Sequence, residues 1–349
     1  MKKSAIFILL LLVLVACKKE YTTDDDNVST DSISNSFELK KDSLSVNVDS
    51  LATVKKDSIA TVQKQELEKN RKTSKFSVYK GETFSYWPIK VSDSLSKLFY
   101  KTFTKEQQYT IAALNRIDTD HIKTRDTLIV PNEFKAQFID YTPFPRLLDN
   151  AKEIPKLIIF SYPIQAYGVY ENGNLVKWGP TNMGKKSAQT PRGLFFTNWK
   201  GRKVKSTVDD EWILNWNFNI HNTDGVGWHQ YALPGYPASH SCLRLLDADA
   251  QWLYNWADQW VLENKSKVKV KGTPVIVFGD YTFGVKGKWH KLVQNPSITT
   301  IFKSELEAIV EPYLAEIYNQ QSIRDTYNAS KKIDQTKLDS LTVKKDSIN

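Results

Sequence analysis

Hydrophobic and polar positions change rhythm several times along the chain. After Met1-Lys2-Lys3 comes an unbroken apolar run, Ala5–Val15. A charged start followed by a run too short to span a bilayer comfortably has the make-up of an export signal. From Lys18 to Lys75 the pattern is polar, with no Trp, Gly or Pro and only Tyr21 and Phe37 as aromatics. Such a segment cannot bury enough apolar surface to offset the entropy of ordering it. The phrase Lys41-Asp42-Ser43-Leu44 echoes at Lys56-Asp57-Ser58-Ile59 and, at the other end, at Lys345-Asp346-Ser347-Ile348, so both termini read as solvated low-complexity tails.

Order is expected from Phe76 onward. Ser94–Tyr100 and Lys105–Leu114 read as short helices, and Thr127–Pro131 as a strand. Denser β patterning follows at Lys156–Ser161, Gln165–Tyr170 and Leu175–Trp178. The last two flank Asn172-Gly173, the dipeptide of a tight hairpin turn. Leu194–Trp199, Trp212–Trp216 and Pro274–Gly279 supply further strands. One clear helix is predicted over Ala248–Leu262, N-capped by Asp247, with Trp252, Trp256 and Trp260 on one face packing into the core. Ser304–Tyr318 reads as an amphipathic helix before the polar tail.

Composition narrows the function classes. The chain has 349 residues, a net charge of +9 and 41% hydrophobic residues, enough for a packed core. No dense Lys/Arg stripe exists, which argues against nucleic acid as a partner. The two cysteines, Cys17 and Cys242, cannot form a disulfide framework. Cys17 ends the segment Leu14-Val15-Ala16-Cys17, which resembles a bacterial lipobox. That resemblance implies removal of residues 1–16, lipidation at Cys17, a membrane partner through that anchor, and residence in the cell envelope facing the periplasm. Residues 17–75 would then be a tether with a root-mean-square span of about 40 Å.

The candidate chemistry lies in one stretch. Three of the five histidines, His221, His229 and His240, fall close together, and Cys242 lies two residues after the last. A thiol beside imidazoles is the minimum kit for a thiolate nucleophile, the imidazole taking the proton and the imidazolium stabilising the thiolate. Arg244 alternates with Leu243 and Leu245, so it points into the site while they point to core, and a guanidinium suits a substrate carboxylate. The turn Pro234-Gly235-Tyr236-Pro237 stiffens the link between His229 and Ser239. Three readings stay open on residue types alone: nucleophilic catalysis, a zinc site formed by His221, His229, His240 and Cys242, and a catalytically inert envelope-binding protein. His221 is an alternative base.

The string from His229 through Ser239-His240-Ser241-Cys242-Leu243-Arg244, with Thr190-Pro191-Arg192-Gly193 upstream, resembles the L,D-transpeptidase (YkuD-like) signature over roughly residues 156–279. Ser241 stands where that signature has Gly. The resemblance implies a mainly β catalytic domain over 150–282, a YkuD-like β-sandwich with one helix. A small α/β accessory region at 76–149 would precede it, and a helix and polar tail at 283–349 would follow. It implies Cys242 as nucleophile, His229 as general base and acid, and His240 as a neighbouring catalytic group. Ser239, Ser241 and Arg244 would order the substrate, with no metal and no cofactor. The implied partner is the peptidoglycan stem peptide, cleaved before a terminal D-Ala and joined to an amine. The short helix ending at Leu114-Asn115 and the strand Asp126–Pro131 resemble the second half of a LysM module, which implies glycan binding.

Overall fold

The computed structural model describes residues 84–124, 127–206 and 211–346, with backbone alone at 93–97, 123–124 and 334–346. These residues belong to the unit Tyr79–Asn349. The export signal, Cys17, the tether and the first residues of the accessory region lie outside the described residues.

In chain order the elements begin with β1 (Tyr86–Lys90), α1 (Asp93–Thr102), α2 (Lys105–Asn115) and β2 (Thr127–Pro131). The next strands are β3 (Leu157–Ser161), β4 (Ala166–Glu171), β5 (Asn174–Pro180), β6 (Gly193–Phe196), β7 (Lys200–Lys205), β8 (Ile213–His221), β9 (Val226–Gln230) and β10 (Leu243–Leu245). The remainder are α3 (Asp247–Trp256), β11 (Val261–Leu262), β12 (Val268–Val270), β13 (Pro274–Phe278), α4 (Lys303–Val310) and α5 (Leu314–Asp346). Five strands form one sheet in the order β5-β4-β3-β13-β6, and four form a second in the order β10-β9-β8-β7. The fold is the expected mainly β sandwich with added helices. β1 and β2 pair antiparallel at the edge of the α/β accessory region.

The five-stranded sheet is buried on both faces. Ile158, Phe160, Val275 and Val277 pack with Phe218, Trp228, Leu243 and Leu245 of the second sheet and with Ala250 and Leu253 of α3. On the other face Leu157, Ile159, Trp178 and Ile276 pack with Ala113 and Leu114 of α2, Leu306 and Val310 of α4, and Ile317 of α5. That explains why β3 is a continuous apolar run, since each of its residues is buried. The accessory region and the C-terminal helices are therefore one layer of the same core. Tyr109 of α2 donates to the buried Asp249 of α3 at 2.9 Å. The β4–β5 turn is a left-handed pair, Asn172 (φ 48°) and Gly173 (φ 75°). A Cβ on Gly173 would lie 2.4 Å from Leu148 O.

Two expectations are corrected. The central helix stops at Trp256 because Ala257 leaves helical geometry (φ −76°, ψ 143°) and Asp258 N–H turns to Thr273 Oγ1 at 2.9 Å. Its buried face is Asp249, Ala250 and Leu253, and its first helical residue, not its cap, is Asp247. Trp252 and Trp256 ride half-buried, stacked at 5.5 Å, with Lys177 and Lys156 over their rings. The segment after Tyr318, expected as a polar tail, continues as helix through Asp346. Ile317 docks that helix in the core, Lys271 pairs with Glu316 at 2.7 Å, and Arg324 donates to Gln259 O at 2.9 Å. Among the described residues no helix is long and apolar enough to cross a membrane.

Candidate active site

β9 and β10 are adjacent and parallel, and their register places Arg244 opposite His229. Leu243 and Leu245 are fully buried and anchor β10, which leaves the intervening Arg244 half-buried. His229, Ser239, His240, Cys242 and Arg244 line one pocket, together with Ser206, Trp212, Leu214 and Tyr231. Its volume is about 30 Å³. All the expected side chains meet there except Ser241, which acts through its backbone.

His229 is buried and its Nδ1 lies 3.0 Å from Gln230 O. Donation from Nδ1–H to that carbonyl fixes the tautomer and leaves Nε2 as a lone-pair acceptor. Burial pushes its pKa down to about 4, with the Arg244 charge adding to the effect. Burial raises the Cys242 thiol, partly offset by the Gly227 N–H and by Arg244. The thiol donates to Gly225 O at 3.9 Å. Thiol and imidazole thus rest neutral, and the proton transfer from thiol to imidazole is a step that follows rather than the resting state.

His240 Nε2 lies 2.6 Å from Lys185 Nζ. An ammonium can only donate, so Nε2 accepts and the imidazole is neutral. Its pKa is lowered by burial first and by Lys185 and Arg244 next. Its Nδ1 is buried without a partner. Arg244 lies over the Tyr231 ring at 4.4 Å and reaches Ala232 O at 3.4 Å.

The backbone of the cysteine segment is clamped by the upstream loop. Arg244 exchanges backbone bonds with Asn182 at 2.9 and 3.0 Å, and Ser239 N–H donates to Met183 O at 3.0 Å. Thr190 is fully buried; its hydroxyl donates to Ser241 O at 2.8 Å and accepts from Gly184 N–H at 3.0 Å. This gives the Thr-Pro-x-Gly string its structural job, with Gly193 (φ 125°) in a conformation that favours glycine. Ser241 has φ 81°, so the serine that replaces glycine sits in left-handed backbone. On the accessory side, Asp118 accepts from Leu233 N–H at 2.7 Å, just before the Pro234–Pro237 turn.

His221 lies outside the pocket lining, 3.2 Å from Asp224. Among the described residues no three His, Cys, Asp or Glu side chains are grouped to hold a metal ion. Lys185, Asn182, Trp212 and Asp118 were not anticipated. The only sequence signal for the first two was their place just before Thr190.

Comparison with curated proteins found no match. Among solved structures, an L,D-transpeptidase from Mycobacterium smegmatis is 22% identical, covering 36% of this chain and 59% of that one with a TM-score of 0.29. An L,D-transpeptidase (Yku) from Stackebrandtia nassauensis is 22% identical over 37% and 58%, with a TM-score of 0.30. An L,D-transpeptidase from Mycobacterium tuberculosis H37Rv is 23% identical over 36% and 58%, with a TM-score of 0.29. The chain thus spans somewhat under three-fifths of the length of these structures. Residues 155–277, which hold every side chain lining the pocket, match the family model of YkuD, the L,D-transpeptidase catalytic domain.

Proposed function

We propose that this chain is a peptidoglycan L,D-transpeptidase that carries its acyl group on Cys242. The observation that supports the reading is the register of β9 and β10: it sets His229 beside Arg244 and puts both in the pocket of the chain's second cysteine. As a stem peptide enters, His229 Nε2 takes the thiol proton and sulfur attacks the carbonyl before the terminal D-Ala. The tetrahedral oxyanion is stabilised by backbone N–H groups around Ser241 and Cys242. The C–N bond then breaks, D-Ala leaves with the proton held by His229, and a thioester remains. An acceptor amine attacks that carbonyl, the C–S bond breaks, and a proton from the amine returns through His229 to sulfur. Arg244 supplies the charge that orients a substrate carboxylate. His240 lines the same pocket and, with Nε2 accepting from Lys185, offers a neutral Nδ1–H as a donor.

The test is mass spectrometry of muropeptides incubated with the full chain after removal of the export signal. Cross-linked dimers are expected. Tripeptides alone would make the protein an L,D-carboxypeptidase, with water resolving the thioester. No change, together with no adduct between Cys242 and a carbapenem-type β-lactam, would make it an inactive peptidoglycan-binding protein. We further propose, on Leu14–Cys17, a lipid anchor at Cys17 that holds the protein at the periplasmic face of the envelope. Cys17→Ser should abolish lipid labelling and release the protein from the membrane pellet.

A further inference from the structure

One cationic side chain far from the cysteine segment in sequence is buried without an opposite charge. α2 ends at Asn115, and the next residue, Arg116, turns left-handed with φ 58°. Its Nη1 donates back to Ala113 O and, at 3.5 Å, to Leu114 O, while Nε donates to Ile164 O at 2.7 Å, just before β4. Those bonds answer carbonyls that a helix end leaves unpaired. They leave the two N–H groups of Nη2 with no hydrogen-bond partner among the described residues. The guanidinium lies 5.7 Å from the Trp178 ring and 5.7 Å from the Trp289 ring, and the residue is only 2% exposed.

Carbonyls accept from a cation but do not neutralise it. A buried charge is normally paired, because leaving water is costly for it. Arg116 makes no ion pair among the described residues; burial lowers its pKa to about 9, and the Tyr86 phenol is the ionisable group that opposes this. Arg116 also lines a cavity of about 430 Å³, a ligand-sized volume. The walls are largely rings, Tyr141, Pro143, Phe144, Pro145, Trp178 and Pro296. The Tyr141 hydroxyl is already used by the backbone, accepting from Lys135 N–H at 2.7 Å and donating to Glu133 O at 3.2 Å. Asp140, the one acidic side chain among the described lining residues, is taken by Arg146 at 2.7 Å. The cavity therefore offers one uncompensated cation, two free donors and apolar rings, and it shares no described lining residue with the Cys242 pocket. A single buried guanidinium balances one negative charge, whereas a dianion would keep a surplus that Asp140 opposes.

We propose that this cavity binds an organic monocarboxylate with a flat or cyclic apolar body, the carboxylate accepting from Arg116 Nη2 and the body lying among the rings. It is a ligand site separate from the Cys242 pocket, and it stands whether or not Cys242 carries an acyl group. Binding supplies the counter-charge that the chain itself does not, so the penalty of burying Arg116 is turned into affinity for the anion.

Three probes test the charge and the shape. Benzoate carries the carboxylate on a flat ring, benzamide keeps the shape without the charge, and phenyl phosphate is a dianion. Each is titrated by NMR into the full chain after removal of the export signal. Benzoate should bind at millimolar concentrations, and benzamide and phenyl phosphate at least tenfold more weakly. Arg116→Met should weaken benzoate binding at least tenfold. Because Arg116 is built into a helix end, that variant is first checked for folding by circular dichroism. Ser297 lines the same cavity and is exposed, so Ser297→Asp brings a repelling charge to the mouth without touching the core. It should weaken benzoate at least threefold. No benzoate binding at millimolar concentrations, benzamide or phenyl phosphate binding as tightly as benzoate, or full benzoate affinity in a folded Arg116→Met or in Ser297→Asp overturns the site.

Discussion

Acid should destabilise this protein through His229 in particular. Its imidazole is 4% exposed, and its pKa falls from 6.5 to about 4 because burial penalises the charged form. In the unfolded chain the ring takes a proton below pH about 6.5, while in the folded chain it stays neutral down to about 4. The unfolded state therefore binds more protons in that window, and stability falls as pH falls. At about 1.4 kcal/mol per pH unit over about 2.5 units, the loss is about 3 kcal/mol, a large part of a typical folding free energy. Other groups titrate nearby, among them the buried Asp249 with its raised pKa. A difference measurement removes them. Urea unfolding of wild type and His229→Gln from pH 7.5 to 4 should show wild type the more stable at neutral pH. The gap should narrow by about 3 kcal/mol, beginning near pH 6.5. A gap constant across the range would refute the buried neutral imidazole, and with it the argument that the pair rests uncharged.

Three further outcomes follow from the site. Cys242→Ala should leave the circular dichroism spectrum unchanged and abolish acyl transfer; turnover above about one part in a thousand of wild type excludes Cys242 as nucleophile. Ser241→Gly should remove a left-handed strain of about 1–2 kcal/mol against an added unfolded-state entropy of about 0.4–1 kcal/mol. A net rise in Tm of about 2 °C is expected, and a fall of that size would show that the serine side chain is needed. Lys185→Met removes the cation 2.6 Å from His240 Nε2, so the His240 pKa should rise in an NMR titration; a fall or no movement would show that Lys185 does not set its protonation.

What was legible in the sequence was whatever local patterning encodes. Asn172-Gly173 announced its hairpin, the alternation Leu243-Arg244-Leu245 announced which side chain faces the site, and the position of Ser241 raised the question of positive φ that the structure answers. The helix end at Trp256 was illegible because it is decided by Thr273 and Asn198, distant residues that capture the backbone of Asp258 and Trp260. Trp252 and Trp256 pack against the core as the stripe suggested, at its half-buried rim, while Ala250 and Leu253 are the fully buried positions and Trp260 lies beyond the helix end. The continuation of the C-terminal helix beyond Tyr318 was missed because that stretch is mostly polar and is docked by few contacts, Arg324 on Gln259 O among them. Lys185, Asn182 and Asp118 carry no motif of their own, and their roles exist only once the chain has folded.

The accessory region is bound to the chemistry by two independent requirements. The first is energetic. Leu157, Ile159, Tyr170, Trp178 and Ile276 form the outer face of the five-stranded sheet and are all buried under α2, α4 and α5 or the loops beside them. At about 1.5–3 kcal/mol for each such side chain, uncovering them would cost on the order of 10 kcal/mol, as much as a whole domain's stability. The second is geometric. Between Gln230 and Leu243 the chain has no regular strand or helix, yet the proposed acyl transfer needs Ser239, His240 and Cys242 held to within a fraction of an ångström. Asp118 fixes the start of that segment, accepting from Leu233 N–H while its own N–H donates to Leu233 O at 3.1 Å. Asn182 and Thr190 fix the end. A small α/β unit placed before the sandwich thus acts as the wall against which the segment carrying Cys242 is braced.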